Sequence, residues 1–331
     1  MTGIEVIAET GTGLLTTSTW EGLAASEGTV FHTRRFLLAW WRDRSARSPA
    51  SRLVTAKVVD GGSTLGICAF ELAEGVLSFA GGRDVVDYMG PVAVAGREKE
   101  VACALAEWIF GEMSWTEAFL AGLVHNDAMS QAIADAIVRF APDANIEAYD
   151  RAPRIGQASA GYLAMLNSKR RADVLRKRNR LAEAVGELEL AVSTRETVLE
   201  ALDRLLAWKS EASPATREFV AEYGGFVRAV VEELAAVDAA HVVELRASGR
   251  PLASAIMLYH RETAYIYNMS YDMAFATGDH AGLAPGVVLV SYLVERSLEQ
   301  GLRFDFLKGA QDYKLRLGGV PVDLIGITAK R

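Results

Sequence analysis

Apolar positions along the chain change period at a few definite places, and those changes outline the fold. After Trp41, Val54–Val59 and Leu65–Leu72 are apolar runs of strand length joined through Asp60-Gly61-Gly62, and Val76–Ala80 adds a third, which predicts an antiparallel meander. The period then turns helical, with Val101, Leu105, Trp108 and Ile109 on one face. Ala118–Leu123 reads as a short apolar strand, Ala132–Phe140 as a helix and Asn145–Tyr149 as a closing strand, so the order is three strands, helix, strand, helix, strand.

The same order returns later without obvious identity. His241–Arg246 and Leu252–Tyr259 flank the turn Ser248-Gly249-Arg250-Pro251, Ala264–Tyr271 is a third strand, and Val287–Leu302 is a helix with Val290, Leu293, Val294 and Leu298 on one face. Phe304–Leu307, a helical turn over Gln311–Leu317 and a last strand over Pro321–Thr328 complete it. The prediction is an α+β protein made of two tandem copies, residues 1–155 and 156–331, each a mixed, mainly antiparallel sheet with flanking helices. Between the meanders lie two amphipathic stripes, Val198, Leu202, Leu205 and Leu206, and Phe219, Tyr223, Phe226, Val227, Val230, Val231 and Leu234, expected to pack on the second sheet. No Gly/Ser-rich or Pro-rich tether separates the copies.

With 331 residues, half of them hydrophobic, the chain has enough apolar material for such cores. Its 42 acidic against 35 basic residues, a formal charge of -7, speak against a protein that coats nucleic acid. Cys68 and Cys103 make no disulfide framework, and no Cys/His cluster has zinc spacing, so no metal is expected. Met1 to Leu15 lacks the basic-then-apolar pattern of a signal peptide and no apolar run is long enough to span a bilayer, which leads to the expectation of a cytoplasmic protein without membrane insertion.

Few motifs carry chemistry. Gly11-Thr12-Gly13 after Ile4–Ala8 imitates a dinucleotide loop, but the third glycine is missing and no βαβ unit follows, so it reads as a turn. Phosphate-loop, His-Glu-x-x-His and Gly-x-Ser-x-Gly patterns are absent, and His32, His125, His241, His260 and His280 are scattered. The opening of the second-copy helix is different. Ala284-Pro285-Gly286-Val287 offers unpaired N–H groups to an anion, Pro suits the first turn, and the first acid of that helix is Glu295. The matching helix of the first copy opens Gly96-Arg97-Glu98-Lys99-Glu100, whose carboxylates compete for the same N–H groups, so no cofactor is expected there. A basic run, Lys169-Arg170-Arg171, Arg176-Lys177-Arg178 and Arg180 against Asp173, is either a solvated helix face or a surface for an acidic acceptor or RNA.

The order of elements is that of the GNAT acyltransferase fold. The run from Tyr271-Asp272 through Ala284-Pro285-Gly286 to Phe304-Asp305-Phe306-Leu307-Lys308-Gly309, then Tyr313-Lys314, Arg316 and Gly318, resembles the acetyltransferase family associated with cellulose-biosynthesis operons, relatives of the Fem aminoacyl-transferases with two GNAT-like halves. Phe31, Phe36, Trp40, Trp41 and Tyr162-Leu163 extend the resemblance. The chain departs from that pattern at Ala310-Gln311, where an acidic pair is usual, and at Leu317, where an aromatic is common.

The resemblance implies acyl transfer, acetyl first, from acyl-CoA to an amine or hydroxyl of a small-molecule or saccharide acceptor, by direct attack in a ternary complex. It implies a cofactor site at Ala284, Pro285, Gly286 and Val287 with Lys314 and Arg316, and Tyr313 as the donor to the departing thiolate. Asp305, between Phe304 and Phe306, is either a base or the partner of Lys308, Lys314 or Arg316, with the structural pair favoured. Asp272, with Asn268 and Ser270, ends the third strand near the expected thioester, but its facing is not fixed by the sequence. Two alternatives stand beside this reading: Fem-like aminoacyl transfer from charged tRNA, which the acidic balance disfavours, and an inactive copy of the fold that holds a partner.

Overall fold

The computed structural model describes residues 3–157 and 161–331. Helices and strands follow in the order β1 (Ile4–Thr10), α1 (Ser18–Glu27), α2 (Arg34–Arg47), β2 (Arg52–Asp60), β3 (Ser63–Ala73), β4 (Val76–Phe79), β5 (Val92–Ala93), α3 (Glu98–Gly111), β6 (Glu117–Val124), α4 (Ala128–Phe140) and β7 (Asn145–Ile155). They continue with α5 (Tyr162–Met165), α6 (Ser168–Val185), β8 (Leu188–Val192), α7 (Val198–Ala212), α8 (Pro214–Ala235), β9 (Ala240–Ala247), β10 (Arg250–His260), β11 (Thr263–Tyr271), α9 (Pro285–Glu299), β12 (Arg303–Asp305), α10 (Asp312–Arg316) and β13 (Val320–Lys330). The chain divides into two compact units, Met1–Arg151 with Val322–Arg331, and Ala152–Pro321.

Both units follow one plan. In the first, β1, β2, β3 and β4 form an antiparallel run and β4 then pairs in parallel with β6. In the second, β8, β9, β10 and β11 do the same and β11 pairs in parallel with β12. The meanders expected from the sequence are therefore present, each with one additional leading edge strand, β1 or β8. Both strands are short and partly exposed, which is why their apolar pattern is weak. The Gly11-Thr12-Gly13 segment is a turn after β1, as expected, since β1 runs antiparallel to β2.

The closing strands pair differently from the sequence order. Pro321–Thr328, expected to close the second copy, lies in β13, which pairs antiparallel with β6 from Leu324↔Val124 to Lys330↔Glu117. The strand expected to end at Tyr149 runs on to Ile155, and its last residues pair with β12, Phe304↔Ile155 and Asp305↔Arg154. A division at residue 155 therefore cuts across the pairing, because both closing strands carry the same alternation and pattern cannot tell their partners apart.

In the second unit, strand alternation separates two layers. Val243 and Leu245 of β9 share an apolar cluster with Val288, Leu289, Leu293 and Val294 of α9, whereas Glu244 between them accepts from Arg204 Nε of α7 at 2.8 Å. The interhelical stripes pack as expected: Val198, Ala201, Leu202 and Leu205 of α7 and Phe226, Val227, Val230 and Val231 of α8 are buried, and α7 contacts β9, β10 and β11.

Candidate active site in the second unit

The sheet of the second unit opens between β11 and β12. Their parallel pairing covers Thr263↔Arg303, Ala264↔Phe304 and Tyr265↔Asp305, after which β12 ends while β11 continues to Tyr271. Among the described residues no strand pairs with Ile266–Tyr271 on that side, so the two strands splay into a wedge, where the Met269 N–H donates to Asn268 Oδ1 at 2.9 Å. On its other side, β11 shifts register against β10: Ile256 faces Asn268 and Met257 faces Ile266, which leaves Tyr267 as the extra residue of a bulge.

Three side chains chosen from the sequence hold this wedge open. Asp305 is 2% exposed. Its Oδ2 pairs with Arg154 Nε at 2.9 Å and its Oδ1 accepts from the Leu307 N–H at 2.8 Å, which brings in a cation of β7 beside those the sequence offered. Lys314 is also buried, and its Nζ donates to the carbonyls of Leu307 at 3.2 Å and Lys308 at 2.6 Å. Together they pin the turn after β12, where Leu307 adopts φ 59, a left-handed conformation costly for a branched side chain. Asp272 closes the other arm. Its Oδ2 accepts from Arg250 at 2.7 Å and its Oδ1 from the Phe275 N–H at 3.0 Å. Burial raises its carboxyl, but these hydrogen bonds outweigh that and hold it below the usual carboxylate range. The loop it anchors is packed further by His280, whose ring stacks on Phe275 at 4.5 Å.

Tyr313 stands on α10 with its hydroxyl donating to Met269 Sδ of β11 at 3.8 Å. Burial pushes its phenol up to about 12. Met269 lies on the part of β11 that runs past the end of β12, and its ε-methyl is 2.6 Å from where a Cβ on Gly286 would sit. Gly286 is thus small because the start of α9 is pressed onto β11. Ala284 takes φ 50 and ψ 55 as the N-cap, with no side-chain cap and no acid in the first turn. Val287 and Val288 donate to the Ala284 carbonyl, and the amides of Ala284 and Gly286 have no acceptor among the described residues. Gly286, Met269 and Tyr313 therefore meet where an anion-accepting helix start adjoins the open edge of β11.

Arg316 is exposed and reaches Asp312 at 3.4 Å. It borders a pocket of about 190 Å³ between α6, α9 and α10, also lined by Val287 and Tyr313. The basic run is not a uniformly solvated face. Arg178 is buried, donating to Ser291 Oγ at 2.9 Å and Glu295 Oε2 at 2.7 Å with its guanidinium 3.9 Å over Tyr292, so it anchors α6 on α9. Met269, Arg154 and Arg178 are the residues that sequence reasoning missed. Only Arg154 left a trace, as a cation inside the apolar end of β7.

The equivalent positions of the first unit are filled by the chain itself. The Gly96 N–H donates to Glu98 Oε1 at 3.0 Å at the start of α3, as the acidic first turn led one to expect. Beside β6, Met89 N–H donates to the Gly122 carbonyl at 3.1 Å, so the segment after β4 lies where β11 of the second unit leaves an open edge. Among the described residues no group of three or more His, Cys, Asp or Glu could hold a metal ion, and no helix is long and apolar enough to cross a membrane.

Residues 168–315 match the family described as acetyltransferase (GNAT) domain. The second unit's order, parallel opening and helix start agree with it. The chain has the GNAT fold, in two tandem halves. FemX aligns over 93% of this chain and 94% of its own at 10% identity with a TM-score of 0.60. L-PGS from Bacillus licheniformis aligns over 94% and 90% at 12% with 0.59, and a tandem GNAT protein from the clavulanic acid biosynthesis pathway over 99% and 98% at 14% with 0.52. At these identities the likeness concerns the fold. No curated protein matches the chain.

Proposed function

We propose that this GNAT protein transfers an acyl group, acetyl in the first instance, from acyl-CoA to an amine or hydroxyl of a small-molecule or saccharide acceptor. The observation that carries the reading is the wedge of the second unit, with a sulfur-facing phenol at its edge and an uncapped helix start beside it. The edge of β11 beyond the end of β12 suits an extended amide-bearing arm that adds as a strand once the Met269 N–H leaves the Asn268 Oδ1 it now holds at 2.9 Å. The amides of Ala284 and Gly286 suit the diphosphate, and Val287 the segment next to it.

In this reading, backbone N–H groups of β11 polarise the thioester carbonyl while the acceptor attacks its carbon. The C–S bond breaks, Tyr313 Oη gives its proton to the departing sulfur, and the proton lost by the acceptor nitrogen or oxygen passes to water, from which the phenol is reprotonated. Burial keeps that phenol protonated throughout the neutral range, as a donor requires. Asp305 and Asp272 have both oxygens engaged and act by shaping the wedge; Lys314 does the same for the turn after β12, and Arg316 is the cation left to meet a phosphate. The first half carries no cofactor, and the protein works in the cytoplasm. Within the superfamily we place it with the group associated with cellulose-biosynthesis operons.

Calorimetric titration with acetyl-CoA tests the reading, with binding in the micromolar range expected; no heat at millimolar ligand overturns it and favours an inactive, partner-holding copy of the fold. One observation favours a second donor. Lys169, Arg170 and Arg180 of α6 are exposed without a carboxylate partner among the described residues, which suits an aminoacyl group carried on tRNA. Filter binding of tRNA that weakens steeply with salt, in a protein that ignores acetyl-CoA, would select that donor.

A further inference from the structure

Resting on the acyl-transfer reading, we infer that the acceptor carries an anionic group, a carboxylate or a phosphate, and that Lys209 receives it beneath an overhang of α7 and α8. The overhang follows from lengths. α8 has 22 residues, about 33 Å of helix, lies on β9 and returns through a tight turn into that strand, whose 8 residues span about 26 Å. Running back along β9, α8 therefore begins beyond the strand's far end. β9 and β11 are both antiparallel to β10, so this is also the end at which β11 outruns β12. Burial marks the same border, since α8 has buried residues only from Phe226 onward and α7 only as far as Leu205.

Past that border, Lys209 continues the sheet-facing stripe of α7, at i+11, i+7 and i+4 from the buried Val198, Leu202 and Leu205. Its Nζ lies 5.2 Å from the centre of the Phe219 ring, which packs on Tyr223 at 5.3 Å, and it has no carboxylate partner among the described residues. Burial pulls its ammonium below the usual lysine range, with no anion to offset the cost. The sheet face that α7 covers carries a cross-strand row, Glu244, Ser254 and Ser270, with Asn268 two residues before Ser270 on the same side of β11. Ser254 Oγ is fully buried without a partner, and Asn268 Nδ2 and Ser270 Oγ have none among the described residues. The carboxylates there are already held, Glu244 by Arg204 at 2.8 Å and Arg246 at 2.5 Å, and Asp305 by Arg154 at 2.9 Å. This face thus offers hydroxyls, an amide and an uncompensated ammonium, and no open carboxylate for a cationic group. A molecule that satisfies it brings negative charge.

Calorimetry with two matched sets tests this: glucose against glucose 6-phosphate and glucuronate, and ethanolamine against phosphoethanolamine and β-alanine. In the natural protein an anionic member of at least one set should bind at least tenfold more tightly than its parent alcohol, and which member does so tells phosphate from carboxylate. Lys209→Met, or Lys209→Gln where the melting temperature shows that the first variant does not fold, should bring that ratio below threefold and leave acetyl-CoA affinity unchanged. Ratios under tenfold in both sets, or a ratio that stays above threefold without Lys209, overturn the assignment while the acyl-CoA reading stands on its own titration. An anion preference that depends on Lys209, in a protein that ignores acetyl-CoA, keeps Lys209 as the anion site and overturns the acyl-CoA donor alone.

Discussion

A phenol whose hydrogen-bond acceptor among the described residues is a thioether has little to lose and much to offer. Tyr313→Phe should therefore change stability by less than ~1 kcal/mol, since the hydrogen bond to Met269 is a weak one. If the hydroxyl serves the leaving sulfur, kcat should fall by about 10²-fold with nearly constant affinity for acetyl-CoA, and the residual rate should rise with pH as a thiolate of pKa ~8.5 departs unaided. Steady-state kinetics from pH 6 to 10 check this; full activity in the variant returns Tyr313 to packing. Asp272 makes the opposite kind of prediction. Its carboxyl lies below the ordinary value in the folded chain, so its stabilisation is complete above pH ~3.9 and drains as pH falls through its lower native value. Asp272→Asn should lower the melting temperature at pH 7, and the gap from the natural protein should close below pH ~4. A gap that is constant with pH would mean that the charge on Asp272 contributes nothing.

At the scale of the element, α9 decides the cofactor site. Val287→Glu puts a carboxylate in its first turn, the arrangement by which Glu98 serves the start of α3. Acetyl-CoA binding should weaken by tenfold or more while unfolding free energy changes by about 1 kcal/mol or less, because a first-turn acid favours the helix itself. Unchanged affinity would remove this helix start from the site. Gly286→Glu is a poorer probe, since a Cβ there collides with Met269 before any charge is felt. Much of this element was legible: Pro285, the lack of early acids and the apolar face all follow from the sequence. What lay outside it depends on pairing between distant segments. Asp305 needed a cation and three stood nearby in sequence, yet it is the register of β12 against β7 that brings Arg154 to its Oδ2. Arg178 looked like one more member of a charged run, and only the packing of α6 on α9 separates it from its exposed neighbours.

For the molecule as a whole, the two copies share a plan and differ in what fills it. The second leaves an edge and a helix start open, and the first closes both with Met89 and Glu98. Calorimetry should accordingly return one acetyl-CoA per chain; two would show that the first copy's fillings are displaceable. The pairing of β13 with β6 has a further outcome, in the time order of synthesis. The first unit includes Val322–Arg331, and Arg331 donates to the carbonyls of Phe110 and Met113. During translation β6 must wait, its edge unpaired, until the whole second unit has emerged from the ribosome. A nascent chain stalled after Ile155 should be protease-sensitive throughout, and a fragment of residues 1–155 should aggregate unless a peptide covering Val320–Arg331 is supplied. Ribosomes that pause late on this message would thus leave the earliest-made part exposed the longest.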